Sequence, residues 1–327
     1  MPNPSRRSFL TLAALTASAA ATRRAAASRV LKWAHVYETS EPFHSAAEWA
    51  AQEIGRRSNG RFSIQVFPAS SLGKESDINQ GLQLGTIELI TSGVAFAARR
   101  YPRLGISYYP YLFRDADHLL RYASSDVFQE ISAGFRRQTG VAVLAYIYYG
   151  TRHVSAQRSF TDCAGMAGLK IRVPDVAAYS VTPLACRANP TPIAFAEVYL
   201  ALQNSTVDAQ ENPLTTMLAK KFYEVQKHIM LTGHVVDGLT TQAAPHVWNG
   251  LDAADQALFT DVAREAAARA SAEILEREAA LVGEFRNKGL GVHDVDRDSF
   301  RAAVTRSTSV AALGYDPRDY ERILAVR

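Results

Sequence analysis

The sequence predicts an α/β protein of two lobes bridged by one long helix. Three observations carry that prediction. A strand–helix alternation fills residues 30–93, a second one begins after residue 140, and one helical apolar repeat runs from about Ala253 to Lys288. A length of 327 residues suits about two domains. With 47% hydrophobic and 21% charged residues, the composition is that of a globular chain.

In chain order, VLKWAHVY reads as the first strand. A helix is expected from about Phe43 to Arg57, with Glu41-Pro42 at its entry and Ser58-Asn59-Gly60 as its stop. RFSIQVF alternates apolar and polar over 61–67, the period of a strand. GKESDINQGLQLG predicts a short helix ended by Gly85, and TIELITSG the next strand. After residue 140, VAVLAYIYYG is a continuous apolar strand and IRVP another, followed by a helix beginning near Asp175. AEVYLALQNS predicts a short helix leading into TVDAQENP. The long helix repeats apolar residues at Leu258, Val262, Ala266, Ala270, Ile274, Leu281 and Phe285, with Asp252 as its cap and Gly289 as its end. At about 1.5 Å per residue it would reach across two small domains. An oligomerising coiled coil is the alternative, but alanine favours close packing within one chain.

The N-terminus carries a twin arginine, Arg6-Arg7, then a short Ala/Leu/Thr run and small residues up to Ala27. It reads as a removable twin-arginine export signal, residues 1–27, rather than a membrane span. Its removal takes away four arginines and no acids, so the formal charge falls from +4 to zero. The basic balance therefore belongs to the signal, and nucleic-acid binding loses its support. The expected location is the periplasm. Cys163 and Cys186 could pair there, but spacing alone does not establish bridge geometry, and export in folded form weakens the requirement.

The usual catalytic signatures are missing. There is no G-x-S-x-G, no H-E-x-x-H and no phosphate-cradling G-x-x-x-x-G-K-[ST]. The eight histidines are scattered in sequence; His234, in LTGHVVDG, is expected at a strand end, where a structural role competes with a ligand contact.

GLKIRVPD, residues 168–175, poses the sharper question, because Arg172 interrupts an apolar strand. One reading puts Lys170 and Arg172 on the wet face of an edge strand. The other puts Arg172 at the carboxyl end of a sheet strand, where open α/β sheets bind ligands. There a guanidinium can hold a carboxylate through two parallel donors.

GLKIRVPD together with PTPIAFAEVYLALQNSTVDAQENP resembles the extracytoplasmic solute-binding proteins of tripartite ATP-independent periplasmic (TRAP) transporters. SLGKESDINQGLQLGTIEL, YYPYLFRD and HVWNGLDAADQALF are similar to the same family, over about residues 30–325. The resemblance implies a periplasmic-binding-protein-like clamshell, with residues 28–149 and 238–277 in the first lobe and 150–237 and 278–327 in the second. It implies that Arg172 holds the substrate carboxylate, that Asn212 hydrogen-bonds it, that Arg152 is a second cleft arginine and that Phe195 packs on the ligand's carbon skeleton. The plainer readings are core for Phe195, an ion pair for Arg152 and turn chemistry for Asn212. Gln210 and His234 complete the second-lobe set, and Tyr149 stands at the boundary between the lobes. From the first lobe come His35, Tyr37, Glu38, Glu75 and Ser92, with Lys74 and Gly93 beside them.

The implied function is that of a monomeric periplasmic receptor, not an enzyme. It would bind a small organic acid, sugar acids ranking first, and deliver it to TRAP membrane subunits. Sialic acid is not expected, since the glutamate-plus-arginine arrangement associated with its binders is not visible. No cofactor is implied; Glu38 or Glu211 could help a divalent cation bridge the ligand, but nothing indicates one. The alternatives are a ligand sensor for a signalling partner and a prefolded cofactor enzyme.

Overall fold

A computed structural model describes residues 28–327. The predicted signal, residues 1–27, lies outside the described residues. One mixed sheet of nine strands organises both lobes. The strands are β1 (Arg29–His35), β2 (Phe62–Phe67), β3 (Leu89–Gly93), β4 (Ala142–Ala156), β5 (Lys170–Val173), β6 (Asn189–Pro192), β7 (Ala209–Pro213), β8 (His228–Ala243) and β9 (Gly291–His293). Their order is β2-β1-β3-β8-β4-β7-β5-β6, with β9 paired to β8. β1 runs parallel to β2 and β3, and β5 parallel to β6 and β7; the long strands β4 and β8 run antiparallel to each other and to their other in-path neighbours.

β4 and β8 join the lobes. At 15 and 16 residues they are about three times the usual strand length. The sequence predicts only the apolar first part of β4. Its second part carries Thr151, Arg152, His153 and Ser155, polar residues beyond the apolar run. They stay in the strand because Arg152, His153 and Ser155 are buried with polar partners of their own. His234 likewise lies inside β8, not at a strand end, for the same reason.

The helix Pro42–Arg57 enters through Pro42, whose missing N–H is one a helix start leaves unpaired anyway. The helix Glu75–Leu84 stops at Gly85, which takes the left-handed conformation at φ 81°. No helix starts at Asp175. The chain bends at Asp175 and Val176, whose N–H donates to the Pro174 carbonyl, runs through a 3-10 segment at Ala177–Ser180 and becomes α-helical only over Val181–Ala185. This carries Tyr179 into the core, while exposed Asp175 pairs with Arg99 at 3.1 Å.

The long helix spans Ala253–Asn287, capped by the Asp252 carboxylate accepting from the Asp255 N–H at 2.8 Å. At about 1.5 Å per residue its 35 residues cover roughly 52 Å. Its first part, through Ile274, belongs to the core around β1, β3 and the outer ends of β4 and β8. Leu281 and Phe285 belong to a separate core with Val198, Met217 and Ile229. The helix therefore bridges two cores of one chain. On the other face of the second lobe's sheet, Met230, Val154, Ile171 and Phe300 form a third core, which the Cys163–Cys186 disulfide closes. The bridge left open by the sequence is thus present.

Within 278–327, Phe300 and Ala303 pack in that third core, whereas Tyr315 and Ile323 join the core of the first lobe. Arg103 donates to Asp319 and Arg322 to Glu130, fixing the C-terminal helix Pro317–Leu324 there. No helix among the described residues is long and apolar enough to cross a membrane.

Candidate functional site: two buried arginines in a closed cleft

The lobes are closed on each other. Tyr179 from the second lobe packs on Tyr108 of the first with ring centroids 4.3 Å apart, and Phe195 lies 6.3 Å from Tyr37. Two contacts cross the same boundary near the hinge. Lys220 Nζ donates to Glu38 Oε1 at 2.6 Å, and the Thr216 hydroxyl donates to Glu41 Oε1 at 2.7 Å.

Arg172 and Arg152 both sit inside this closure, at 2% and 1% exposure. Their surroundings differ in kind. β4 and β7 pair so that Arg152 lies opposite Pro213, one step from Asn212 and two from Glu211. Arg152 Nε and Nη2 donate to the two carboxylate oxygens of Glu211, the second at 2.7 Å, and Nη1 donates to Asp237 Oδ2 at 2.9 Å. Nη2 also reaches the Asn212 side-chain oxygen at 3.2 Å. The paired fork is the strong geometry for a buried ion pair. Burial pushes the Glu211 carboxyl up, but Arg152 and His234 outweigh it and hold it below the ordinary value. Asp237, with one bond to the shared guanidinium, is instead pushed up to about 6 by burial.

Arg172 has no such partner. β5 lies between β6 and β7, with Arg172 opposite Thr191 and Gln210, so it is an interior strand and not a wet edge. Arg172 Nε donates to the Ile193 carbonyl at 2.9 Å; Nη1 is buried without a hydrogen-bond partner among the described residues. Burial, with Arg152 adding to it, pushes the guanidinium down to about 10 against the pull of Glu211. Its carbon stands 5.9 Å from the Phe195 ring centroid, and Lys220 Nζ 5.1 Å from the same ring. A buried cation with an unmatched donor carries a desolvation cost.

The other expected residues assemble around this point. Asn212 Nδ2 donates to Gln210 Oε1 at 2.6 Å, which leaves its second amide hydrogen unassigned, while Gln210 Nε2 donates to Ser155 at 2.8 Å. Tyr149 meets Tyr37 edge-on at 5.3 Å, and its hydroxyl lies 3.2 Å from the Thr216 hydroxyl oxygen, to which it can donate. The Glu75 carboxylate accepts from the Ser92 hydroxyl at 2.8 Å and the Gly93 N–H at 2.7 Å. Burial pushes Glu75 up, offset by those bonds and by Arg172 and Arg152. His35 stacks on Tyr37 at 6.0 Å, and burial together with His44 pushes it down to about 3.

Two expected residues are held by the protein itself, and a third faces solvent. His234 has Glu211 on Nε2 at 3.2 Å and Thr232 on Nδ1 at 2.8 Å. Glu38 is paired with Lys220, and Lys74 is exposed at the start of its helix. Glu211 and Glu38, the suggested cation ligands, are each engaged by a cation side chain. Asp237, Tyr179, Glu41 and Lys220 escaped the sequence reading. Asp237 had a signal, an acid inside the apolar run HVVDGL; the other three had none.

A family model described as bacterial extracellular solute-binding protein, family 7, matches residues 33–312. The chain belongs to that family. A solute-binding protein of Roseobacter denitrificans is 33% identical over 89% of this chain and 90% of its own. A Roseobacter denitrificans TRAP periplasmic solute-binding protein with bound L-galactonate matches at a TM-score of 0.85, 30% identity, and 91% and 99% coverage of the two chains. One from Polaromonas with D-erythronate matches at 0.87, 29% identity and the same coverage. The sialic acid-binding periplasmic protein of Vibrio cholerae is 31% identical over 90% of this chain and 91% of its own. As members of this family, these proteins share its two-lobed fold with the present chain.

Proposed function

We propose that this family member is a periplasmic receptor for a small organic acid, with sugar acids as the first class, and that it hands its cargo to TRAP membrane subunits on other chains. The carrying observation is Arg172: a buried guanidinium in a closed cleft whose Nη1 has no partner among the described residues. A ligand carboxylate there would receive a charge-assisted hydrogen bond, joined by the remaining Asn212 amide hydrogen. Tyr37, Tyr149, Glu75 and Ser92 supply hydroxyl and carboxylate partners suited to a polyol chain, and Phe195 the apolar wall. Relatives holding L-galactonate and D-erythronate support the sugar-acid class.

The reading makes no bond and breaks none, and His234 is held within the chain through both ring nitrogens. It divides the molecule into a first lobe of 28–149 with 238–277 and a second of 150–237 with the part of 278–327 around Phe300 and Ala303, the end of the chain around Tyr315 and Ile323 returning to the first lobe; the hinge is β4, β8 and the long helix. Closure then follows from the ligand binding the closed form better than the open one.

The test is a thermal-shift screen of residues 28–327 against aldonates, uronates, dicarboxylates, 2-keto acids and neutral sugars. A ligand that binds only the folded chain raises its melting temperature by mass action. A shift confined to acids supports the reading; shifts with neutral sugars alone overturn it. The protein is denatured and refolded first, so that no co-purified ligand occupies the site.

A further inference from the structure

Far from the cleft, β9 lies on the edge of the second lobe's sheet, parallel to β8. His228 stands opposite Gly291, and Met230 opposite His293. Side chains alternate along a strand, so Gly291 and His293 share one face. Because residue 291 has no side chain, the two imidazoles converge above it. His228 Nδ1 and His293 Nε2 are 3.0 Å apart, with ring centroids at 5.1 Å. A Cβ on Gly291 would fall 2.6 Å from each of these nitrogens. The glycine therefore keeps open a notch bordered equally by both.

From this geometry we propose that His228 and His293 chelate one divalent late first-row transition ion, Cu²⁺ or Ni²⁺ ahead of Zn²⁺. Two metal–nitrogen bonds of about 2.1 Å spanning that separation enclose roughly 90° at the ion. That angle suits the square and tetragonal geometries of Cu²⁺ and Ni²⁺ better than the tetrahedral preference of Zn²⁺. Both histidines are half-buried, so an ion can enter and keep water in its other positions. No third His, Cys, Asp or Glu among the described residues completes the set, and the site is an open two-ligand one. In the metal-free chain the two nitrogens share a hydrogen bond, and binding an ion releases that proton. Lys227 is the cation on the site's border and works against the ion's charge.

The experiment is calorimetric titration of CuCl₂ and NiCl₂ into residues 28–327, free of any histidine tag, at pH 7.5. One ion should bind per chain, Cu²⁺ and Ni²⁺ more tightly than Zn²⁺. His228→Gln and His293→Gln should each weaken binding by more than about tenfold, since losing even an outer-shell partner costs about 10–100-fold. Gly291→Ala, which fills the notch, should do the same, while His44→Gln, from the other close histidine pair, should change nothing. Circular dichroism melts confirm that each variant is folded. Absence of binding, unchanged binding in the His228/His293 double variant, or loss on His44→Gln instead would each overturn the proposal.

Discussion

Arg152 and Glu211 are locked together across adjacent strands, guanidinium fork to carboxylate, with both side chains almost wholly buried. Arg172, equally buried on the next strand but one, has only a backbone carbonyl on its Nε. The same residue type thus does two jobs. One arginine ties β4, β7 and β8 together, and the other keeps an unpartnered Nη1, on which the proposed carboxylate contact rests.

The two arginines should therefore respond in opposite ways. Arg172→Met removes a buried cation with incomplete pairing, so the melting temperature of the unliganded protein should hold or rise. Acid binding should fall by more than about tenfold, the loss of a charge-assisted hydrogen bond worth roughly 1.5–3 kcal/mol. Thermal melts with calorimetry on one preparation check both halves.

Arg152→Ala strands Glu211 and Asp237 as buried, uncompensated carboxylates. Breaking such a pair from one side costs roughly 3–5 kcal/mol. Denaturant titration should show that loss with no ligand present, which separates a scaffold role from a binding one.

The elements of residues 29–93 and the long helix were legible because each shows its own period, whereas the helices Ala116–Ser124 and Asp126–Thr139 were not read. β2 alternates at two, the long helix repeats near 3.6, and Gly85 and Asp252 punctuate as their chemistry requires. Arg172 was legible as an anomaly, a cation in an apolar strand. What local pattern could not give was the polar interior. Arg152 finds Glu211 59 residues away and Asp237 85 away, so nothing local marked the second half of β4 as strand. The helix expected at Asp175 failed for a related reason, since Tyr179 is drawn across to Tyr108 by packing between the lobes.

Glu41 ties closure to pH. Burial pushes its carboxyl up to about 7 from an ordinary 4.5, against the pull of its Thr216 and Glu38 hydrogen bonds. The folded chain then holds a proton that the unfolded chain releases. This contribution is complete below pH 4.5 and is lost as pH rises through 7. Glu41→Gln stays neutral throughout. Apart from a constant offset, its stability relative to wild type should climb between pH 4.5 and 8 by on the order of 3 kcal/mol. Denaturant melts across that range check the slope; a flat difference would remove Glu41 from the pH response.

The Cys163–Cys186 bridge closes a loop of 23 residues on the third core. Reduction should destabilise the protein by about 2–4 kcal/mol through the freedom returned to the unfolded chain. Melts with and without reductant, and of the Cys163→Ser/Cys186→Ser variant, should agree.

The central claim is that the cleft recognises a carboxylate through Arg172. Its most direct measurement is a calorimetric titration of wild type and Arg172→Met with the acid that gives the largest thermal shift and with the sugar alcohol of the same carbon skeleton. The account predicts that wild type binds the acid and not the alcohol, and that Arg172→Met binds neither. Equal affinity of wild type for acid and alcohol, or undiminished acid binding by Arg172→Met, would contradict it.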